Sequence, residues 1–237
     1  MDSVQKTAPA AGPASSAPAG RGTPLAGEEG RQHATARLRQ AIVAGDMAPG
    51  QRLVEEELAG ALEVTRASLR QALIDLTADG LVERIPNRGA RVRVITAAEA
   101  VAITECRMAL EGLCAAKAAE RVTGEQARHL RRLSDDMRAA VSDGEPVRYS
   151  ELNRELHRLV IDISGQEIAA GLLARLNGQL VRHQFRLSLR SGRPQQSLPE
   201  HLAIIAAIIA REPARAEQAA RAHLRSVIRA LSQEESR

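Results

Sequence analysis

The sequence predicts a mainly α-helical protein in two parts, a small helix–turn–helix unit with a β-hairpin appended and then an antiparallel bundle of six helices. Two observations carry this expectation. Between Val54 and Val94, two short amphipathic helices lead through a glycine into a hairpin pattern. From Thr96 to the carboxyl end the apolar residues keep helical spacing, Gly, Pro and Ser mark the breaks, and no strand pattern occurs. At 237 residues the chain is long enough for two such units.

Residues 1 to about 30 are rich in Ala, Pro, Gly and Ser without hydrophobic periodicity, so 1–30 is expected to be a disordered tail. The first folded unit then spans 31–95. Its first helix is expected from near Gln32 to Gly45, with Ala41 and Ile42 turned inward. The next helix runs from about Val54 to Leu62, with Leu58, Ala59 and Leu62 on one face and Glu55, Glu56 and Glu57 at the amino end, where the helix dipole favours them. Glu63 and Val64 make a turn, and Thr65 is an N-cap for a helix that reaches about Asp79. Leu69, Ala72, Leu73 and Leu76 give that helix its buried face, and Gly80 ends it.

Arg66 and Arg70 lie four apart near the amino end of this helix, the end that a recognition helix presents to the major groove. The planar arginine fork matches guanine O6/N7 or a phosphate, and both partners stay open for each residue. Leu81 to Ile85 and Ala90 to Val94 read as strands around Pro86-Asn87-Arg88-Gly89, a turn tipped with arginine. The whole is a winged helix-turn-helix.

Composition limits the partners. A net charge of +4 and a pI near 9.8 favour an anionic one. Tyr149 and Phe185 are the only aromatic residues, so stacking platforms for single strands are lacking and duplex DNA is the better expectation. No apolar run approaches a membrane span, and no leader opens the chain, so a cytoplasmic location is expected with no membrane partner. Cys106 and Cys114 sit eight residues apart in one expected helix, about 12 Å along its axis and too far to bridge. They read as small core residues of a reducing compartment.

The first unit resembles the amino-terminal domain of the GntR family of bacterial regulators. The resemblance rests on Leu38-Arg39-Gln40-Ala41-Ile42, Gly45, Pro49-Gly50, Leu53, Glu57-Leu58-Ala59, Leu62-Glu63-Val64-Thr65-Arg66, Leu69-Arg70-Gln71-Ala72-Leu73, Leu76, Gly80-Leu81-Val82 and Pro86-Asn87-Arg88-Gly89-Ala90-Arg91-Val92. It implies DNA contacts from Arg39, Thr65, Arg66, Ser68, Arg70, Arg88 and Gly89. Members often open the recognition helix with Ser-Arg-Thr-Pro-Val-Arg-Glu-Ala-Leu, where this chain has Thr65-Arg66-Ala67-Ser68-Leu69-Arg70-Gln71-Ala72-Leu73. A different operator sequence follows. Some relatives place an arginine where Glu56 stands, so no DNA contact is carried over to that position.

The second unit, 96–235, is expected to hold helices at about 97–121, 124–142, 147–163, 167–190, 198–210 and 214–233. Thr96 with Glu99 and Thr123 with Gln126 have capping-box spacing. Asn153 and His157 share one face of the third of these helices, and His201 and His223 lie on the fifth and sixth. Three imidazoles and an amide oxygen from three helices suit a divalent ion such as zinc or nickel, and spacing alone equally allows unrelated surface and core histidines.

This half resembles the FCD effector domain of the FadR-type branch of the GntR family, through Arg107-Met108-Ala109-Leu110-Glu111, Asn153-Arg154-Glu155-Leu156-His157, Glu200-His201 and Ala222-His223-Leu224. The resemblance implies that an aspartate and three histidines hold a divalent metal, which helps to bind a small carboxylate effector. His157, His201 and His223 map onto the histidines, whereas Asn153 stands where aspartate is frequent and Leu156 where an aromatic residue is frequent. Arg107 is the candidate contact for the carboxylate, and an ion pair with Glu111, one turn away, is its alternative. Arg182, His183 and Arg186 are lesser candidates for the pocket.

The expected function is a DNA-binding transcriptional regulator and not an enzyme, a repressor working as a homodimer on an inverted-repeat operator. A regulator for which the metal ion is itself the signal is the alternative. A metal-dependent hydrolase is weaker, because no carboxylate is placed beside the histidines as an obvious general base.

Overall fold

Tertiary contacts draw the end of the expected tail into the first helix. The structure is a computed structural model that describes residues 23–233 except Asn87, Leu189 and Ser191, and except the side chains of Arg182, Gln184, Phe185, Arg186 and Ser188. Most of the expected tail, the 1–22 part, lies outside the described residues, but helix α1 spans Gly27–Ala44 and starts five residues before Gln32. Leu25 pairs with the segment after the next helix through Leu25 N–H to Glu63 O (2.8 Å) and Thr65 N–H to Leu25 O (2.9 Å), and Ser68 Oγ donates to Gly27 O. Composition does not register such long-range bonds. Gly30 permits the approach, since a Cβ there would lie 2.5 Å from Leu25 O.

After α1 come β1 (Arg52–Leu53), α2 (Glu55–Ala61), α3 (Arg66–Ala78), β2 (Val82–Ile85) and β3 (Gly89–Val92). The sheet is antiparallel in the order β1-β3-β2, with Val82 opposite Val92 and Ile85 opposite Gly89. β1 is too short to show alternation and carries no sequence signal. Thr65 caps α3 by accepting from Ser68 N (3.2 Å), and Gly80, at φ 72°, turns the chain into the hairpin. Leu38, Leu69 and Leu76 are fully buried between α1 and α3, with Val82 and Val92 closing the core from the sheet.

The second unit consists of α4 (Ala97–Arg121), α5 (Gly124–Ser142), α6 (Pro146–Ser164), α7 (Glu167–Ser188), α8 (Arg193–Ile209) and α9 (Pro213–Ser232). Its core joins Ala115, Leu130, Met137, Leu156, Ile163 and Ile208. Thr123 and Gln126 form a complete capping box. Thr96 caps α4, but the Glu99 carboxylate is taken by Arg93 instead of reaching back, so that box is half made. Within the bundle the largest difference from expectation is α8, which starts at Arg193 and not near 198. Pro194 occupies its first turn, where proline suits a helix, and Pro199 is carried inside it.

α7 ties the bundle to the carboxyl end of α3. Asp79, the C-cap of α3, forms an ion pair with Arg39 of α1 and another with Arg175 Nε of α7 at 3.4 Å, and its carbonyl accepts from Gln179 Nε2 at 3.0 Å. His183 Nε2 lies 2.9 Å from Ile95 O. Gly80 leaves room for this seam, because a Cβ there would meet Gln179 Nε2 at 2.7 Å. Among the described residues no helix is long and apolar enough to cross a membrane.

Candidate functional site

Two places carry chemistry, the exposed amino end of α3 and a histidine cluster inside the bundle. At the first, Arg66 and Arg70 are exposed and paired with the acidic first turn of α2, Arg66 Nη2 to Glu56 Oε1 at 2.6 Å and Arg70 Nε to Glu55 Oε2 at 2.7 Å. Exposed pairs of this kind are weak, so either arginine is free to exchange its partner for a phosphate or a base edge. Arg88 and Gly89, with φ 85° at Gly89, sit exposed at the wing tip; the neighbouring Asn87 lies outside the described residues. Two of the expected DNA contacts stand elsewhere. Ser68 is only 3% exposed, with its hydroxyl bonded to Gly27 O and to Thr65 Oγ1, so it serves the packing of α1 on α3. Arg39 joins the seam at the opposite end of α3 from Arg66. The Thr65 hydroxyl is committed to the cap.

In the bundle, α6, α8 and α9 bring one ring nitrogen each from His157, His201 and His223 within 4.8 Å of one another. The outer nitrogens are all engaged: His157 Nδ1 lies 2.9 Å from Glu111 Oε2, His201 Nδ1 2.8 Å from Tyr149 Oη, and His223 Nδ1 2.8 Å from Glu200 Oε2. Behind them Arg107 donates through Nε and Nη2 to Glu111 Oε1, at 3.1 and 2.7 Å. The acid–base order follows. Burial opposes ionisation of Glu111, but Arg107 and His157 outweigh it and hold the carboxyl well below the usual range. Burial likewise opposes ionisation of Glu200, and hydrogen bonds from His223 and Ser226 lower it. Burial, reinforced by the neighbouring His223 and His157, pushes His201 well below the ordinary histidine value, and burial lowers His223 against the pull of Glu200. Tyr149, desolvated, is pushed up to about 12.

Burial disfavours the charged forms of His201 and His223, which can therefore donate outward through Nδ1–H, to Tyr149 and Glu200. For His201 the relay is consistent: Nδ1–H to Tyr149 Oη, Tyr149 O–H to Ser197 Oγ (3.0 Å), Ser197 O–H to Arg193 O (2.9 Å). This order leaves the Nε2 lone pairs of His201 and His223 facing each other across 3.3 Å. Two lone pairs at that distance repel unless a proton or a cation lies between them. Asn153 Oδ1, on the same face of α6 as His157, is buried without a hydrogen-bond partner. An unmet buried acceptor of this kind costs about 1–3 kcal/mol. Both observations fit a divalent cation, with Asn153, His157, His201 and His223 as the available donors.

The cluster opens on a cavity of ≈ 1230 Å3 that extends to the seam, with Arg107, Asn153, His201 and Arg193 at one end and Arg39, Asp79, Gly80 and Gln179 at the other. Arg193 escapes a sequence reading that takes Gly192-Arg193-Pro194 for a loop. Pro194 was the available signal, as a first-turn residue. The side chains of Arg182 and Arg186 lie outside the described residues, and His183 is used by Ile95. Cys114 is buried beside the cluster, its thiol raised by burial, while Cys106 is exposed on α4.

Comparison with known proteins identifies the two units. Residues 31–92 match the family of bacterial regulatory proteins described as the gntR family, and residues 102–226 match the FCD domain. The HTH-type transcriptional repressor RspR of Escherichia coli is 29% identical over 202 residues, covering 84% of this chain and 89% of its own length. The HTH-type transcriptional repressor NanR of Cronobacter sakazakii is 30% identical, covering 89% of each chain. The solved structure of E. coli McbR/YncC superposes with a TM-score of 0.70 at 19% identity, over 86% of this chain and 98% of its own, a likeness of fold.

Proposed function

The chain belongs to the GntR family of bacterial regulatory proteins and carries an FCD domain, and from that premise we propose that it is a repressor released from double-stranded operator DNA by a small carboxylate. The DNA-binding unit, up to about residue 95, reads the operator through Arg66, Arg70 and Arg88. The helical unit binds the effector in the cavity beside the histidines. Asn153, His157, His201 and His223 hold a divalent ion of the zinc or nickel type there. The ion supplies a Lewis-acidic attachment point for a carboxylate oxygen, and Arg107 lines the same end of the cavity.

One observation carries this reading: the cavity that starts at the histidines ends at Asp79 and Gly80, the carboxyl end of the recognition helix. A ligand in it occupies space that both units line. It therefore shifts their arrangement whenever it fits one seam geometry better than another. The repressor sign rests on the names of RspR and NanR. The protein acts as a cytoplasmic homodimer on an inverted repeat, one recognition helix for each half-site.

A gel-shift titration on the DNA upstream of the protein's own coding sequence, with and without chelator and a panel of small carboxylates, tests the proposal. Release by a carboxylate is expected. Release by chelation alone would make the ion the signal, and no DNA binding would end the proposal.

A further inference from the structure

Two arginines are buried at the histidine end of the cavity, and their surroundings differ. Arg107 has a carboxylate partner at 2.7 Å that it grips through two nitrogens. Arg193, 6% exposed in the first turn of α8, does not. Its Nη1 is 3.0 Å from Ser226 Oγ and 3.3 Å from Gln196 Oε1, both neutral, and its nearest carboxylate oxygen is Glu200 Oε2 at 3.6 Å. That same oxygen already accepts from His223 Nδ1 at 2.8 Å. A buried guanidinium whose carboxylate partner stands at 3.6 Å and is shared with His223 is incompletely compensated, and an arriving carboxylate can take two of its parallel N–H donors at once.

The helix around Arg193 favours the same charge. α8 has Gly192 as its N-cap and so no side-chain cap, has no acidic residue in its first turn, and lines the cavity with Arg193 and Pro194. The positive end of its dipole thus opens beside the guanidinium. Tyr149 and Ser197, which also line the cavity, supply neutral polar groups.

We propose that Arg193 receives the effector's carboxylate at the amino end of α8, and that Arg107 acts through Glu111 to orient His157. This rests on the carboxylate-controlled reading above and names the residue that recognises the anion. Arg193 is then a residue kept for binding at the expense of stability.

The test uses the full chain with its metal content measured. Melting and calorimetric titration are run with lactate, malate, succinate, citrate and inorganic phosphate, on the wild type and on Arg193→Gln, Arg193→Lys and Arg107→Gln. A carboxylate that stabilises the wild type should bind Arg193→Gln about 10- to 100-fold more weakly, the loss of one charge-assisted bond. Arg193→Lys keeps the charge but not the fork, so its loss is smaller but still measurable. Without ligand, Arg193→Gln should melt no lower than the wild type, whereas Arg107→Gln melts lower because it strands Glu111. Unchanged carboxylate binding by Arg193→Gln and Arg193→Lys overturns the assignment, as does an Arg193→Gln protein that melts far below the wild type without ligand. A wild type indifferent to every carboxylate overturns the underlying reading instead, and a response to phosphate alone overturns the class of ligand.

Discussion

Asn153 brings a neutral oxygen to a position where a carboxylate would bring a charge, and its Oδ1 is buried and unpaired. Asn153→Asp is therefore expected to hold a divalent ion more tightly, with loss to chelator slowed on the order of ten-fold, about 1.4 kcal/mol. Faster loss would contradict the role given to Asn153. Glu200→Gln tests the outer ring: without the carboxylate behind His223, metal affinity should fall about 10- to 100-fold, measured by competition with a chromogenic chelator. The chelator-treated protein should also be sensitive to acid. His201 is lowered in the folded state, so the unfolded chain takes up its proton first. Stability from this group is complete above the ordinary value of 6.5 and is lost as pH falls below it, which a series of melts between pH 8 and pH 5 would follow. Spacing placed Asn153 and His157 on one face, but His201 and His223 approach them only through the packing of α8 and α9. The burial of Ser68 was equally beyond a local pattern, because it depends on α1 crossing the start of α3.

At the scale of the element, α3 was readable because cap, apolar stripe and terminal glycine agree along thirteen residues. α8 was misplaced because two prolines, Pro194 and Pro199, both qualify as helix starts and only the packing chooses between them. Leu76, fully buried at the centre of the first core, should cost about 2–5 kcal/mol of stability as Leu76→Ala, measured by denaturant unfolding. Arg66→Ala and Arg70→Ala should each weaken operator binding by about 1–3 kcal/mol while leaving melting nearly unchanged. Glu56→Gln removes both the competing partner of Arg66 and a negative charge facing DNA. It should tighten binding by less than about 1 kcal/mol, the worth of an exposed pair.

Across the whole molecule, the surroundings of one residue join the bundle to the first unit. Asp79 is gripped from α1 by Arg39 and from α7 by Arg175 and Gln179, and α7 lines the cavity. Arg175→Ala combined with Gln179→Ala should leave operator affinity of the ligand-free protein within about three-fold and abolish its response to effector, a dissociation of the two activities visible in the same gel-shift series. The bundle also leaves Ile168 (83% exposed), Leu172 and Leu113 uncovered on α7 and α4, apolar surface suited to the proposed homodimer. Ile168→Glu should shift the sedimentation of the protein toward the monomer if that surface is buried there. The extent of the cavity has a further consequence, for dose. Because both units line it, an effector that favours one seam geometry and an operator that favours another oppose each other. Operator DNA should therefore weaken effector binding by the same factor by which effector weakens operator binding, so that protein already on DNA responds only at a higher metabolite level than free protein.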